Sequence, residues 1–105
     1  MTHAGDHIVR ATAYGGQVRA IAARTTETCR EMVRLHGLSP VAAAALGRLA
    51  TGVQIMAMDL KNPGDRITAI VRGDGPLRGL TAACGPDAYV RGYAWEPVVD
   101  TLYRS

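Results

Sequence analysis

A chain of 105 residues can form one domain with a modest core, and its hydrophobic content of 48% excludes wholesale disorder. The net charge of +3 admits a nucleic-acid partner, but the arginines are scattered with little aromatic interleaving, so we expect no nucleic acid. The chain opens on a polar stretch and has no apolar run of about 18 residues, which predicts a cytoplasmic protein without a membrane partner.

The two cysteines, Cys29 and Cys84, lie far apart in the sequence and form no Cys-x-x-Cys pair. A structural zinc site needs about four suitably spaced ligands, and a secreted disulfide scaffold of this length carries more cysteines. We therefore expect two buried free thiols, and no metal or cofactor in this chain.

The first predicted element is a β-hairpin. Residues 7–14 and 17–24 flank Gly15 and Gly16, which supply the positive φ angles of a tight turn. Pairing across this turn places six small apolar residues on one face, which we expect the body of the domain to cover. They are Val9, Ala11, Ala13, Val18, Ala20 and Ala22.

A short helix follows the hairpin. Thr25 or Thr26 suits its cap, and Gly37 suits the left-handed position after its end. Apolar and small residues recur at helical spacing, which predicts an inner stripe. The stripe contains Cys29, Met32, Val33 and His36.

The second helix is predicted over residues 40–60 and is expected to be the most buried helix. Ser39 can accept a hydrogen bond from a free amide at its start, and Pro40 suits the first helical position. The alanines at 42–45 form a wall with almost no side-chain bulk, which favours close packing. The apolar stripe that follows contains Leu46, Leu49, Ala50, Val53, Met56, Ala57 and Leu60.

Three strands complete the prediction, over residues 66–72, 77–84 and 88–95. The fold class is therefore α+β: a hairpin, two helices and a three-stranded antiparallel meander in a layered sandwich. Four apolar residues follow Pro97 without an element to join, so we expect an incomplete sandwich that forms a homodimer or a domain-swapped oligomer. They are Val98, Val99, Leu102 and Tyr103.

Few residues offer catalytic chemistry. The loop from Gly73 to Pro76 could present amides to a phosphate, but it lacks the other residues of a P-loop and precedes a strand. His3 and His7 have a metal-ligand spacing that is meaningful only on a helix, and His36 is expected to be a packed or capping residue. We predict no enzyme and assign no catalytic, cofactor-binding, metal-binding or substrate-binding residue.

Three motifs, found in order, carry a resemblance to a known family. They are the helix S-P-V-A-A-A-A-L-G-R at 39–48, the turn R-G-D-G-P-L at 72–77 and the strand V-R-G-Y at 90–93. The opening I-V-R-A at 8–11 also fits. Together they resemble the heat-shock protein 33 family of redox-regulated bacterial holdase chaperones, over most of residues 7–95.

The resemblance implies ATP-independent binding of unfolding or oxidatively damaged proteins, which prevents aggregation, by a dimeric stress-response chaperone. It covers the N-terminal portion of the family's core domain, so we expect residues 1–105 to be a single domain. The four cysteines of the family's C-terminal zinc domain and its redox switch have no counterpart here, so we expect oxidation not to switch activity on. Two alternatives stay open: a small nucleic-acid-binding module, and a small enzyme that uses the loop from Gly73 to Pro76.

Overall fold

The computed structural model describes residues 5–99, as a hairpin, two helices and a three-stranded sheet. The elements are β1 (His7–Ala13), β2 (Val18–Arg24), α1 (Thr26–His36), α2 (Pro40–Ala57), β3 (Ile67–Arg72), β4 (Gly79–Cys84) and β5 (Val90–Ala94). The strands pair in the antiparallel orders β1-β2 and β3-β4-β5. The predicted α+β class is confirmed. The predictions that involve His3, Leu102 and Tyr103 lie outside the described residues.

The hairpin turn forms as the two glycines predict. Gly15 and Gly16 have φ angles of +64° and +88°, and the Gln17 amide donates to the Tyr14 carbonyl at 3.2 Å. Positive φ at both central residues is the requirement of a two-residue turn whose twist matches that of the strands. The register of β1 against β2 is also the one that this turn predicts.

The two helices meet at a short connection with one unexpected bond. Gly37 ends α1 in the left-handed conformation, at φ +60°. Ser39 occupies the position before α2, but the predicted capping bond is wrong: its hydroxyl accepts from the Val99 amide at 2.9 Å. The Ser39 amide donates to the Pro97 carbonyl at 2.9 Å. The segment after β5 is therefore attached to the start of α2, and Val99 is buried while Val98 is exposed.

The core lies between α2 and one face of the three-stranded sheet. From α2 it receives Ala42, Leu46, Ala50, Val53, Gln54 and Ala57, and from the sheet Leu80, Ala82, Cys84 and Ala94. A Cβ added to Gly92 would lie 3.1 Å from Leu46 Cδ1, so this glycine lets the helix approach the sheet closely. The prediction that α2 is the most buried helix is confirmed.

Some predicted core positions face solvent instead. Met56 of the predicted stripe is exposed, whereas Gln54 is buried and its side-chain nitrogen donates to the Ala88 carbonyl at 2.9 Å. In the alanine wall, Ala42 is buried but Ala44 is exposed. On α1 the buried residues are Thr28 and Met32, whereas Val33 and His36 of the predicted stripe are exposed.

By length and composition alone, α2 could cross a membrane, since its 18 residues have a mean hydropathy of 1.2. The sequence had predicted no such segment. The structure gives another reason for this composition: α2 packs against the sheet on one side and contacts α1 on another. A core helix covered from two sides is apolar around much of its circumference.

Candidate functional site

The face of the hairpin opposite the apolar one carries Arg10, Thr12, Tyr14, Gln17 and Arg19, with Ile8, Ile21 and Ala23 near its open end, and we call it the mixed face. Only the open end of the mixed face lies against the rest of the domain, since residues 9–20 are exposed on both faces. Ile8, Ile21 and Ala23 of the mixed face are half-buried, whereas Val9 and Val18 of the apolar face are 53% and 48% exposed. The expectation that the apolar face is covered is therefore wrong. We call this uncovered surface the hairpin face, and it consists of Val9, Ala11, Ala13, Val18, Ala20 and Ala22.

Two arginines of the mixed face contact the end of α2. The Arg10 guanidinium donates to the Met58 carbonyl at 3.0 Å, and Arg19 forms an ion pair with Asp59 at 3.0 Å. A guanidinium at the end of α2 bonds to carbonyls that the helix leaves free. The hydrogen bond and charge of Arg19 also lower the pKa of Asp59. These contacts hold the mixed face against the end of α2, and the hairpin face points away.

The hairpin is also open at both of its edges. Within residues 5–99, β1 and β2 form a sheet of two strands, and no third strand pairs with either. Each strand therefore presents an outward row of backbone donors and acceptors that another extended chain can use. An uncovered apolar face between two open edges can bind an extended polypeptide with little demand on its sequence.

A second exposed surface is the side of the three-stranded sheet that faces away from α2. We call it the outer sheet face, and it consists of Thr68, Ile70, Arg72, Thr81, Ala83, Arg91, Tyr93 and Trp95. Its members follow from strand alternation. Val90 and Ala94 of β5 pack into the core, so Arg91 and Tyr93 point away from it. This face contains two arginines and no acidic residue.

Trp95 is fixed on the outer sheet face by three contacts. Its ring nitrogen donates to the Thr81 hydroxyl at 3.0 Å, and the Arg72 guanidinium carbon lies 5.9 Å from the ring centroid. The ring also lies over Gly79, where an added Cβ would be 2.6 Å from it. The glycine thus makes room for the ring against the sheet.

A polar cavity of about 630 Å³ adjoins β5. Lys61, Arg66 and Arg91 contribute positive charge to its lining, and Asp65 and Asp87 contribute negative charge. Each carboxylate accepts a hydrogen bond from a backbone amide of its own turn. The three cations form no ion pair with any residue between 5 and 99. This arrangement suits an anionic ligand.

Both thiols are free, and they differ in exposure. Cys84 is buried, and burial, with the nearby Asp87 carboxylate, raises its pKa to about 11. Cys29 is half-buried in an apolar groove between α1 and α2, and a Cβ added to Gly47 would lie 3.0 Å from its sulfur. The prediction of two buried thiols therefore holds for Cys84 and only in part for Cys29.

The residues of the enzymatic alternative are not brought together. The loop from Gly73 to Pro76 is exposed, lines neither cavity described above, and is closed by a bond from the Gly73 amide to the Arg78 carbonyl at 3.0 Å. His7 and His36 are exposed on separate elements. In residues 5–99, no three His, Cys, Asp or Glu side chains converge in a way that could hold a metal.

Sequence reasoning missed the aromatic row of β5. Tyr89, Arg91, Tyr93 and Trp95 occupy every second position, which is the periodicity of one face of a strand. The signal was present in the sequence, but a search for runs of basic residues does not detect it.

Open strand edges, an uncovered apolar face and an exposed aromatic face are typical of domains that bind other chains. The sequence model of the family described as Hsp33 protein matches residues 6–104, and the chain belongs to this family.

Its relatives include proteins named 33 kDa chaperonin. The one from Symbiobacterium thermophilum is 50% identical over 95 residues, which are 90% of this chain and 32% of that protein. The one from Ruminiclostridium cellulolyticum is 47% identical with the same coverage. The one from Thermus thermophilus is 48% identical over 98 residues, 92% of this chain and 29% of that protein. The chain thus spans about a third of the length of these relatives.

Proposed function

We propose that this chain binds unfolding proteins without ATP and keeps them from aggregating, and that it acts by binding rather than by catalysis. The observation that carries the proposal is the hairpin, whose apolar face is uncovered and whose two edges are open within residues 5–99. The name of the relatives, 33 kDa chaperonin, supports the same function.

The hairpin supplies the two interactions that an unfolding protein offers. Such a protein exposes apolar side chains and a backbone without partners. The edges of β1 and β2 can bond to the backbone of any extended segment, because main-chain groups are the same in every sequence. The hairpin face adds a flat surface of Val and Ala side chains, so burial there depends on apolar area rather than on a specific fit. No step in this binding requires a nucleotide, a metal or a cofactor.

We also propose that two copies associate through the same feature. An open strand edge recruits another strand, and exchange of an element between copies covers such an edge at low cost. Self-association would then compete with binding of an unfolding protein.

The two free thiols support a reducing compartment, and we propose that the chain is cytoplasmic. Cys84 is buried and Cys29 lies in the groove between α1 and α2, and we propose activity that does not depend on oxidation.

The test is suppression of aggregation, measured by light scattering of an enzyme that aggregates on heating. The parent chain should suppress scattering equally with and without ATP. Ala11→Lys and Ala20→Lys place charges on the hairpin face and should each reduce suppression severalfold. Ala44→Lys makes the same change at an exposed position of α2 and should leave suppression unchanged.

Two results would overturn the proposal. One is a parent chain that does not suppress scattering at a severalfold molar excess. The other is full suppression by both hairpin variants, with circular dichroism showing that they are folded. Loss of suppression in Ala44→Lys as well would indicate a general effect of added charge and would also remove the hairpin face as the site.

A further inference from the structure

We propose that the outer sheet face binds single-stranded RNA, with bases stacked along β5 and phosphates held at the cations of the adjoining polar cavity. This proposal concerns a different surface from the hairpin and does not rest on the holding function. It is carried by the spacing of aromatic side chains on β5, by the charges around them and by their free hydroxyl groups.

The aromatic row provides the stacking surfaces. Tyr93 lies on β5, and Tyr89 and Trp95 flank the strand at positions of the same alternation; Tyr89, Tyr93 and Trp95 are 60%, 51% and 38% exposed. Alternate residues on a strand are about 6.7 Å apart. Exposed aromatic rings on a sheet are a recurrent means of binding single-stranded RNA, because every base has a face that can stack. Trp95 lies against Gly79 and has the Arg72 guanidinium over its ring, so Tyr89 and Tyr93 offer the more open stacking surfaces.

The charges favour an anionic strand. Arg91 lies within the aromatic row, and with Tyr89 it also lines the polar cavity, so the row and the cavity are continuous. The cavity adds Lys61 and Arg66, which have no ion-pair partner among residues 5–99. The outer sheet face has no carboxylate. The cavity has two, Asp65 and Asp87, but each accepts a hydrogen bond from a backbone amide, and the cavity's three cations leave the lining with a net positive charge. Three unpaired cations beside stacking rings match a sugar–phosphate backbone.

The hydroxyl groups favour RNA over DNA. Those of Thr68, Tyr89 and Tyr93 form no hydrogen bond with residues 5–99 and lie along the path of the strand. Each can bond to a ribose 2′-hydroxyl, the group by which a protein distinguishes RNA from DNA. An apolar segment of an unfolding protein would gain nothing from the three cations, so the same features disfavour it as the occupant of this face.

Binding would be measured with a fluorescein-labelled 12-mer of uridine, by anisotropy and by quenching of Trp95, the single tryptophan of the chain. Tyr93→Ala should weaken binding about tenfold, through loss of one stacking ring. Three phosphate contacts predict a slope of about −2 for log K against log salt, and Arg66→Ala should reduce its magnitude by about 0.7. The matched controls are Tyr14→Ala and Arg24→Ala, exposed residues of the hairpin, which should bind as the parent does.

Three further measurements distinguish RNA binding from DNA binding, from binding of any polyanion and from binding of an unfolding protein. Deoxythymidine 12-mer should bind several times more weakly than the RNA, and polyglutamate should not quench Trp95. Tyr93→Ala should suppress client aggregation as well as the parent chain does, whatever the result for RNA. The proposal is overturned by equal binding of RNA to parent and Tyr93→Ala, by equal quenching with polyglutamate, by DNA binding as tight as RNA binding, or by loss of client suppression in Tyr93→Ala.

Discussion

Asp6 caps α1 from outside the helix, by accepting three hydrogen bonds at its first turn. The Thr28 amide and hydroxyl donate to one oxygen at 2.8 and 2.7 Å, and the Glu27 amide donates to the other at 3.1 Å. Thr25, which occupies the capping position, makes no capping bond, and its hydroxyl bonds to that of Thr51 at 2.7 Å. The residue just before β1 therefore joins the hairpin to the helix layer.

Asp6→Ala should lower the free energy of unfolding by about 1–3 kcal/mol, because it removes a buried cap and leaves the Thr28 groups without their partner. Urea unfolding followed by circular dichroism measures the change. Asp74→Ala, in the exposed turn before β4, is the matched control and should change stability by less than about 0.5 kcal/mol. Equal stability of the two variants would contradict the capping role of Asp6.

Gly79→Ala should destabilise the domain by about 1–3 kcal/mol or more, because the added methyl group would lie 2.6 Å from the Trp95 ring and 2.7 Å from the Val71 carbonyl oxygen. The ring should be displaced, so the emission of Trp95 should shift towards that of an indole in water. Gly64→Ala is the control, since nothing lies within 4 Å of its added methyl group. An unchanged Trp95 spectrum in Gly79→Ala would show that the ring does not rest on this glycine.

The alanines of α2 should respond to enlargement according to their exposure and not as a uniform wall. Ala42→Leu overfills a fully buried position and should cost about 1–3 kcal/mol of stability. Ala44→Leu projects into solvent and should stay within about 0.5 kcal/mol of the parent. Thermal unfolding of both variants checks the difference. Comparable losses at the two positions would mean that α2 is covered on its outer side as well.

The sequence predicted those features that neighbouring residues decide. The turn at Gly15 and Gly16, the end of α1 at Gly37 and the start of α2 at Pro40 each depend on the backbone preference of one or two residues. The predicted strands of the meander were also correct to within two residues at each end, because Gly and Pro separate them.

The sequence could not predict features that depend on distant partners. The inner side of the hairpin is contacted through Arg10 and Arg19, whose partners lie 48 and 40 positions away. Gln54 is buried and bonds to a carbonyl 34 positions away, while Met56 of the predicted stripe is exposed. Periodicity identifies the two faces of an element, but the choice between them is made by tertiary contacts. The sequence therefore predicted which residues of the hairpin share a face, but it did not predict that this face is exposed.

The buried thiol of Cys84 should make stability fall with rising pH in a defined window. Burial, and then the charge of Asp87, raise its pKa from 9.0 to about 11, so between these values the unfolded chain has lost a proton that the folded chain retains. Stability then decreases as pH rises from about 9 to about 11 and shows no further loss from this group above that range. Urea unfolding at each pH should show this decrease in the parent and in Cys29→Ala, and a smaller one in Cys84→Ala.

At pH 8, a thiol reagent should modify Cys29 in the folded protein and reach Cys84 only after unfolding. Rapid modification of both thiols in the folded state, or identical pH dependence in all three proteins, would show that Cys84 is not held as a buried neutral thiol.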